Sequence, residues 1–170
     1  MHFKVQHTFR GITLPEYEQL YFDEDFNIAL CSTVKLARTV VSIDRSDTAI
    51  KRVVKVGPDR EVPKPVAKVL KADRIEYTEH LDYTFGSGRG TWKTVPDIMA
   101  SKVDTRGTFQ FKETDGGVLR IVDGDIKVKI LGVGGVVEKF IVSDVEKSYQ
   151  DAARFTQQWI DQGKHKSGEG

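Results

Sequence analysis

VVEKFIVSDVEKSYQDAARFTQQWI, residues 136–160, decides the fold. Val137, Ile141, Val145, Tyr149, Ala152, Phe155 and Trp159 recur at steps of three and four, which draws one apolar stripe along a helix of about seven turns. That stripe needs a surface to lie on, and the preceding chain supplies one. With 20 Val, 11 Ile and 13 Thr against 8 Leu, the composition favours stiff β-branched side chains that suit a pleated sheet. In residues 2–10, HFKVQHTFR, the side chains of Phe3, Val5, His7 and Phe9 alternate onto one face, the signal of a half-buried strand. The same alternation predicts strands over 36–45, 48–56, 74–86, 89–96, 103–113 and 117–130. Turn chemistry at Arg45-Ser46-Asp47, Gly86-Ser87-Gly88 and Thr114-Asp115-Gly116-Gly117 joins consecutive strands closely, which makes an antiparallel meander.

Two short helices are expected over 14–21 and 24–32. Thr13 opens the first, with Glu16 at capping-box spacing and Pro15 near its start. Residues 63–71 predict a further amphipathic turn or two. Only the C-terminal helix is long enough to cover the apolar face of an open sheet. The fold class is therefore α+β: a curved antiparallel sheet of about seven strands wrapped around a long C-terminal helix, with two short helices after the first strand. One domain is expected over 1–162, followed by a disordered tail at 163–170.

Composition excludes several functions. The chain has 170 residues, 39% apolar and 30% charged, a globular rather than a disordered balance. A chain of this size buries about 70% of its unfolded surface, enough for a core without metals or disulfides. Net charge is +1, with no local basic patch, so nucleic acid is not an expected partner. The 1 cysteine, Cys31, makes no intramolecular disulfide and leaves no metal-ligand set with the 4 histidines. The opening MHFKVQ lacks the order of a secretory signal and no apolar run spans a bilayer. A cytoplasmic protein without stable membrane insertion, and without a cofactor, is the expectation.

The order of elements resembles the START/polyketide-cyclase/plant-allergen superfamily, the helix-grip fold, over about residues 1–162. The residues carrying the likeness are Val103-Asp104-Thr105-Arg106-Gly107-Thr108-Phe109, then Gly124-Asp125-Ile126-Lys127-Val128-Lys129-Ile130. They continue through Leu131-Gly132-Val133-Gly134-Gly135-Val136-Val137-Glu138-Lys139 to the helix ending in Trp159-Ile160. Within the superfamily the chain is most similar to an uncharacterised bacterial subfamily, a domain of unknown function. The resemblance implies a cavity for lipids, sterols, polyketides or other apolar molecules, and binding more than catalysis.

A cavity between sheet and helix must be filled, wet or occupied. Dry voids cost about 24 cal/mol per Å³, so an empty 400 Å³ space would cost roughly 10 kcal/mol, comparable with the whole stability of a domain, about 5–15 kcal/mol. Expected lining residues are Tyr77, Tyr83, Trp92, Phe109, Ile141, Val145 and Tyr149, whose rings bring apolar area and, for Tyr and Trp, polar tips that orient a ligand. His7, Arg52 and Glu79 are possible polar anchors, since an inward arginine needs a carboxylate partner or an anionic ligand. The bland alternatives are that the rings fill the core, that His7 is a satisfied core histidine, and that a one-residue slip sends Arg52 and Glu79 to solvent.

Other constellations carry less. The Gly132-Val133-Gly134-Gly135 loop lacks the spacing of a dinucleotide fingerprint or a Walker motif, and reads as a structural turn with Glu138 in the first helical turn. Cys31, Ser143 and Ser148 lack the context of a hydrolase nucleophile, and Asp123 with Asp125 reads as solvated. The leading expectation is a binding or transport protein for a small apolar or lipid-like molecule. Admission would come by movement of 63–71 or of the helix start, hinged at Gly132, Gly134 and Gly135. The enzyme alternative is a cyclase, dehydratase or hydrolase of polyketide-like or aromatic substrates using His7, Glu79 and a tyrosine.

Overall fold

Each stretch of period-2 alternation becomes a strand, and short turns pair each with the next. The computed structural model describes residues 1–166. Its strands are β1 (His2–Arg10), β2 (Leu36–Arg45), β3 (Ala49–Pro58), β4 (Tyr77–Thr84), β5 (Arg89–Pro96), β6 (Val103–Thr114) and β7 (Gly117–Val128). They form one antiparallel sheet in the order β1-β7-β6-β5-β4-β3-β2. The helices are α1 (Leu14–Tyr21), α2 (Glu24–Thr33), α3 (Lys64–Leu70) and α4 (Gly134–Asp161). This is the helix-grip fold. Of the tail, Lys164–Lys166 forms a 3-10 turn, and 167–170 lie outside the described residues.

β1 reaches β7 because α1 and α2 carry the chain across from one edge of the sheet to the other. The register seats Phe9 opposite Val118, His7 opposite Arg120, Val5 opposite Val122 and Phe3 opposite Gly124. At the other edge, β2 carries a bulge between Val40 and Ser42, which interrupts the ladder where an open edge would invite another strand. Arg38 ties this edge to α2 through a two-pronged pair with Glu24, Nη1 to Oε2 at 2.6 Å and Nη2 to Oε1 at 2.9 Å. The guanidinium's hydrogen bonds hold the Glu24 carboxyl below its usual range.

Two helices share the covering that the sequence assigns to the last one alone. α1 and α2 sit on one end of the sheet, where Tyr17, Tyr21 and Phe22 meet Tyr83, Phe109 and Phe111. Tyr17 stands edge-on to Phe111 at 4.8 Å between centroids, and Tyr83 stacks on Phe109 at 5.6 Å. α4 lies instead across β1 and β7. The capping box on α1 is complete: Thr13 Oγ1 accepts from the Glu16 amide, and Glu16 Oε1 accepts from the Thr13 amide. Thr13→Ala is expected to lower stability by about 1 kcal/mol in urea melts.

The glycine loop before α4 has a packing role. α4 begins at Gly134, earlier than the stripe alone suggests, and a Cβ there would stand 2.3 Å from the Val128 carbonyl oxygen. Glu138 consequently falls beyond the first turn, contrary to its expected place there. Its Oε1 instead accepts from the Val128 amide at 3.0 Å, which ties the helix to the end of β7.

Candidate functional site

The helix α4 is fastened near its two ends. Val137 near the start and Thr156 with Ile160 near the finish are buried. Glu138 secures the first end. At the other, the Gln157 amide bridges β1, its Oε1 accepting from the Arg10 amide at 2.9 Å and its Nε2 donating to the Arg10 carbonyl at 3.0 Å. Between these points, Ile141, Val145 and Tyr149 are only half-buried, although they continue the apolar stripe. The mid-span is linked to the segment before α3 by Arg60, whose Nη2 donates to Asp144 Oδ2 at 3.0 Å and Ser148 Oγ at 2.8 Å.

What lies under the mid-span is read from the tyrosines. Tyr21, Tyr77 and Tyr149 keep part of their surface accessible. Burial nevertheless pushes each of their phenols above the ordinary value. Each hydroxyl is withdrawn from water while part of its ring stays accessible, and Tyr21 and Tyr149 pack against the core beside Ile141 and Val145.

Two arginines are buried in the interior. Arg52 is 5% and Arg120 4% exposed, values seldom met for a guanidinium. Arg52 Nη2 stands 3.5 Å from Glu79 Oε1, while its Nε and Nη1 have no partner within the protein. Arg120 Nη2 donates to His7 Nδ1 at 3.2 Å, and its Nε has no partner. Its guanidinium lies 5.0 Å from the Tyr149 ring centroid and 5.2 Å from that of Phe9. The Tyr17 hydroxyl rests against it without closing a hydrogen bond of normal geometry.

His7 is neutral there. A guanidinium only donates, so Nδ1 accepts and the ring proton sits on Nε2. Desolvation first, and the Arg120 charge second, lower its pKa. A lowered histidine pKa contributes stability that is present above the unfolded value of about 6.5 and lost as pH falls through the folded one. Between pH 7 and 5 the wild-type melting temperature is therefore expected to fall further than that of His7→Gln, as followed by circular dichroism.

The residues singled out in the sequence take three kinds of place. Ile141, Val145 and Tyr149 lie half-buried on α4 and pack against the core, Tyr77 is half-buried on β4, and Arg52 on β3 pairs with Glu79 on β4. Tyr83 and Phe109 are closed into the aromatic cluster, 3% and 2% exposed, and the Tyr83 hydroxyl donates to the buried Glu18 at 2.5 Å. Trp92 lies across Gly124, whose Cβ would meet the indole at 2.2 Å, and its Nε1 donates to the Asp123 carbonyl at 3.3 Å. Sequence reading missed Arg120, Tyr17 and Tyr21. Two surface clefts lie at the rim. The first, about 370 Å³, is walled by Cys31, Leu36 and Ala37 on one side and Asp59, Arg74 and Glu76 on the other. The second, about 460 Å³, lies beside the β6–β7 turn and α1. Among the described residues no cluster of His, Cys, Asp or Glu could hold a metal ion, and no helix is long and apolar enough to cross a membrane.

Several solved structures share this architecture. TTHA0849 from Thermus thermophilus is 14% identical with a TM-score of 0.62, over 91% of this chain and 96% of that one. Ms6760 from Mycobacterium smegmatis is 14% identical at 0.59, over 95% and 92%. Ara h 8.0201 is 11% identical at 0.58, over 94% and 97%. At such identities the likeness shows the fold alone. A search of curated proteins matched none. Residues 4–160 match the model of a family described as proteins of unknown function, DUF2505. By that match across nearly its whole length, the chain belongs to the DUF2505 family.

Proposed function

We propose that the protein binds a small hydrophobic or amphipathic molecule between the sheet and the mid-span of α4. What supports this reading is the half-buried mid-span of α4, where Ile141, Val145 and Tyr149 continue the apolar stripe, together with the buried arginines Arg52 and Arg120, whose donors are not all met within the protein. A site there, apolar along Ile141 and Val145 and polar at Tyr21, Tyr77 and Tyr149, suits a guest with a greasy body and a polar group. Admission moves α3 and loosens the contacts of Arg60 with Asp144 and Ser148.

The test joins native mass spectrometry and organic extraction of purified protein with thermal shifts against fatty acids, sterols and polycyclic aromatics. Ligand at about a hundred times its Kd should add about 2.7 kcal/mol, a rise of about 5–10 °C for a chain of this size. Bare protein on extraction together with no shift across the panel overturns the reading.

A further inference from the structure

We infer that the turn between β7 and α4 is a reversible contact for an anionic bilayer surface. The inference stands apart from the binding reading above. From Ile130 to Val137 the chain reads Ile-Leu-Gly-Val-Gly-Gly-Val-Val, without one charged or hydrogen-bonding side chain. Leu131 stands at the corner of the turn, which the Gly134 amide closes onto the Ile130 carbonyl at 2.9 Å, and Gly132 follows it at φ +81°. Leu131 is 102% exposed, and Val136 in the first turn of α4 is 56% exposed. Turn corners ordinarily take Gly, Pro, Asn, Asp or Ser, each of which serves the backbone there. A leucine held outward by a closed turn adds nothing to the core.

Lysines rim this tip, and only folding brings them together. Lys129 precedes the turn, and its amide donates to the Lys102 carbonyl at 2.7 Å, which sets the 3-10 turn Ala100–Lys102 alongside. Lys139 follows Val136 by three residues on the same flank of α4. All three lysines are exposed, and none is in an ion pair among the described residues. The one acidic residue of the helix start, Glu138, turns back to the Val128 amide. Farther along the sheet the charges balance, with Lys127 opposite Asp104 and Asp125 opposite Arg106. The positive surplus is therefore confined to the tip. An apolar corner with a cationic rim matches the boundary of an anionic membrane. The leucine enters the headgroup region while the lysines, on flexible stems, stay with the lipid phosphates. A second copy fits worse, because it would set like charges face to face. Two apolar side chains and three lysines make a weak attachment from which the protein departs again.

The experiment is sedimentation of the full chain with vesicles of phosphatidylcholine alone, and with about one-third phosphatidylglycerol, at millimolar lipid. The expected result is at least tenfold stronger partitioning onto the anionic vesicles, lost at high salt. Leu131→Glu should lower it tenfold or more, and Lys129→Gln, Lys102→Gln and Lys139→Gln about fivefold each. All four positions are exposed, so these variants keep the fold, which circular dichroism checks. Equal partitioning onto neutral vesicles, or lysine variants that bind as wild type does, overturns the charge argument. A Leu131→Glu protein that binds unchanged, or no sedimentation of wild type, overturns the contact itself. A dimer in analytical ultracentrifugation that Leu131→Glu abolishes assigns the tip to a second copy and overturns the membrane assignment. Thermal shifts with soluble guests read the other site, so either reading can fail alone.

Discussion

Phe109→Ala is expected to cost about 3–5 kcal/mol in urea-melt stability, the range of buried phenylalanine truncations. Phe109 is 2% exposed and stacks on Tyr21 at 5.7 Å and on Tyr83 at 5.6 Å, with Phe111 5.4 Å away. Its ring also covers Gly90, where a Cβ would come within 2.2 Å of it. Four neighbours on strands and helix cannot all close over the void. The contrast with Val145→Ala makes the result informative. Val145 belongs to the half-buried mid-span of α4, so its truncation removes fewer contacts and should cost about 1 kcal/mol or less. Equal costs at the two positions would mean that sheet and mid-span are packed alike, with no room beneath α4 for a guest.

Glu79→Ala is the second large effect, about 2–3 kcal/mol. Removing one partner of a buried ion pair costs about 3–5 kcal/mol because the other charge is stranded. The lower figure follows because the Glu79 side chain keeps 26% of its surface accessible, against 6% for Arg52. Arg52→Met in the Glu79→Ala background should restore most of the loss, and a double-mutant cycle in urea reads the coupling directly. A Glu79→Ala protein as stable as wild type would show that Arg52 does not depend on Glu79.

The inward face of β3 and β4 was legible because alternation there is clean. Ile50, Arg52 and Val54 on β3 stand opposite Tyr83, Leu81 and Glu79 on β4, so a charged residue in an apolar series announces itself. Arg120 carries the same signal in a form that could not be phased. β7 reads Val118-Leu119-Arg120-Ile121-Val122, and Ile121 is also buried, so apolar residues on both faces hide the period. The capping box at Thr13 marked where α1 starts, because capping is local chemistry within four residues. Nothing local says that Tyr17 and Tyr21 would meet Phe109 and Phe111 from strands far along the chain. The start of α4 escaped for a related reason: helix propensity argues against Gly134, whereas the close approach of the Val128 carbonyl requires it.

The long helix resembles a beam resting on two piers, with Glu138 and Gln157 as the bearings and Arg60 as a single stay at mid-span. Such a member flexes most at its centre under a transverse load, so guests of different girth can be accommodated by bowing without lifting either bearing. Selectivity for thickness should then be soft, and a family of related compounds with broadly similar affinities is the natural outcome of competition assays.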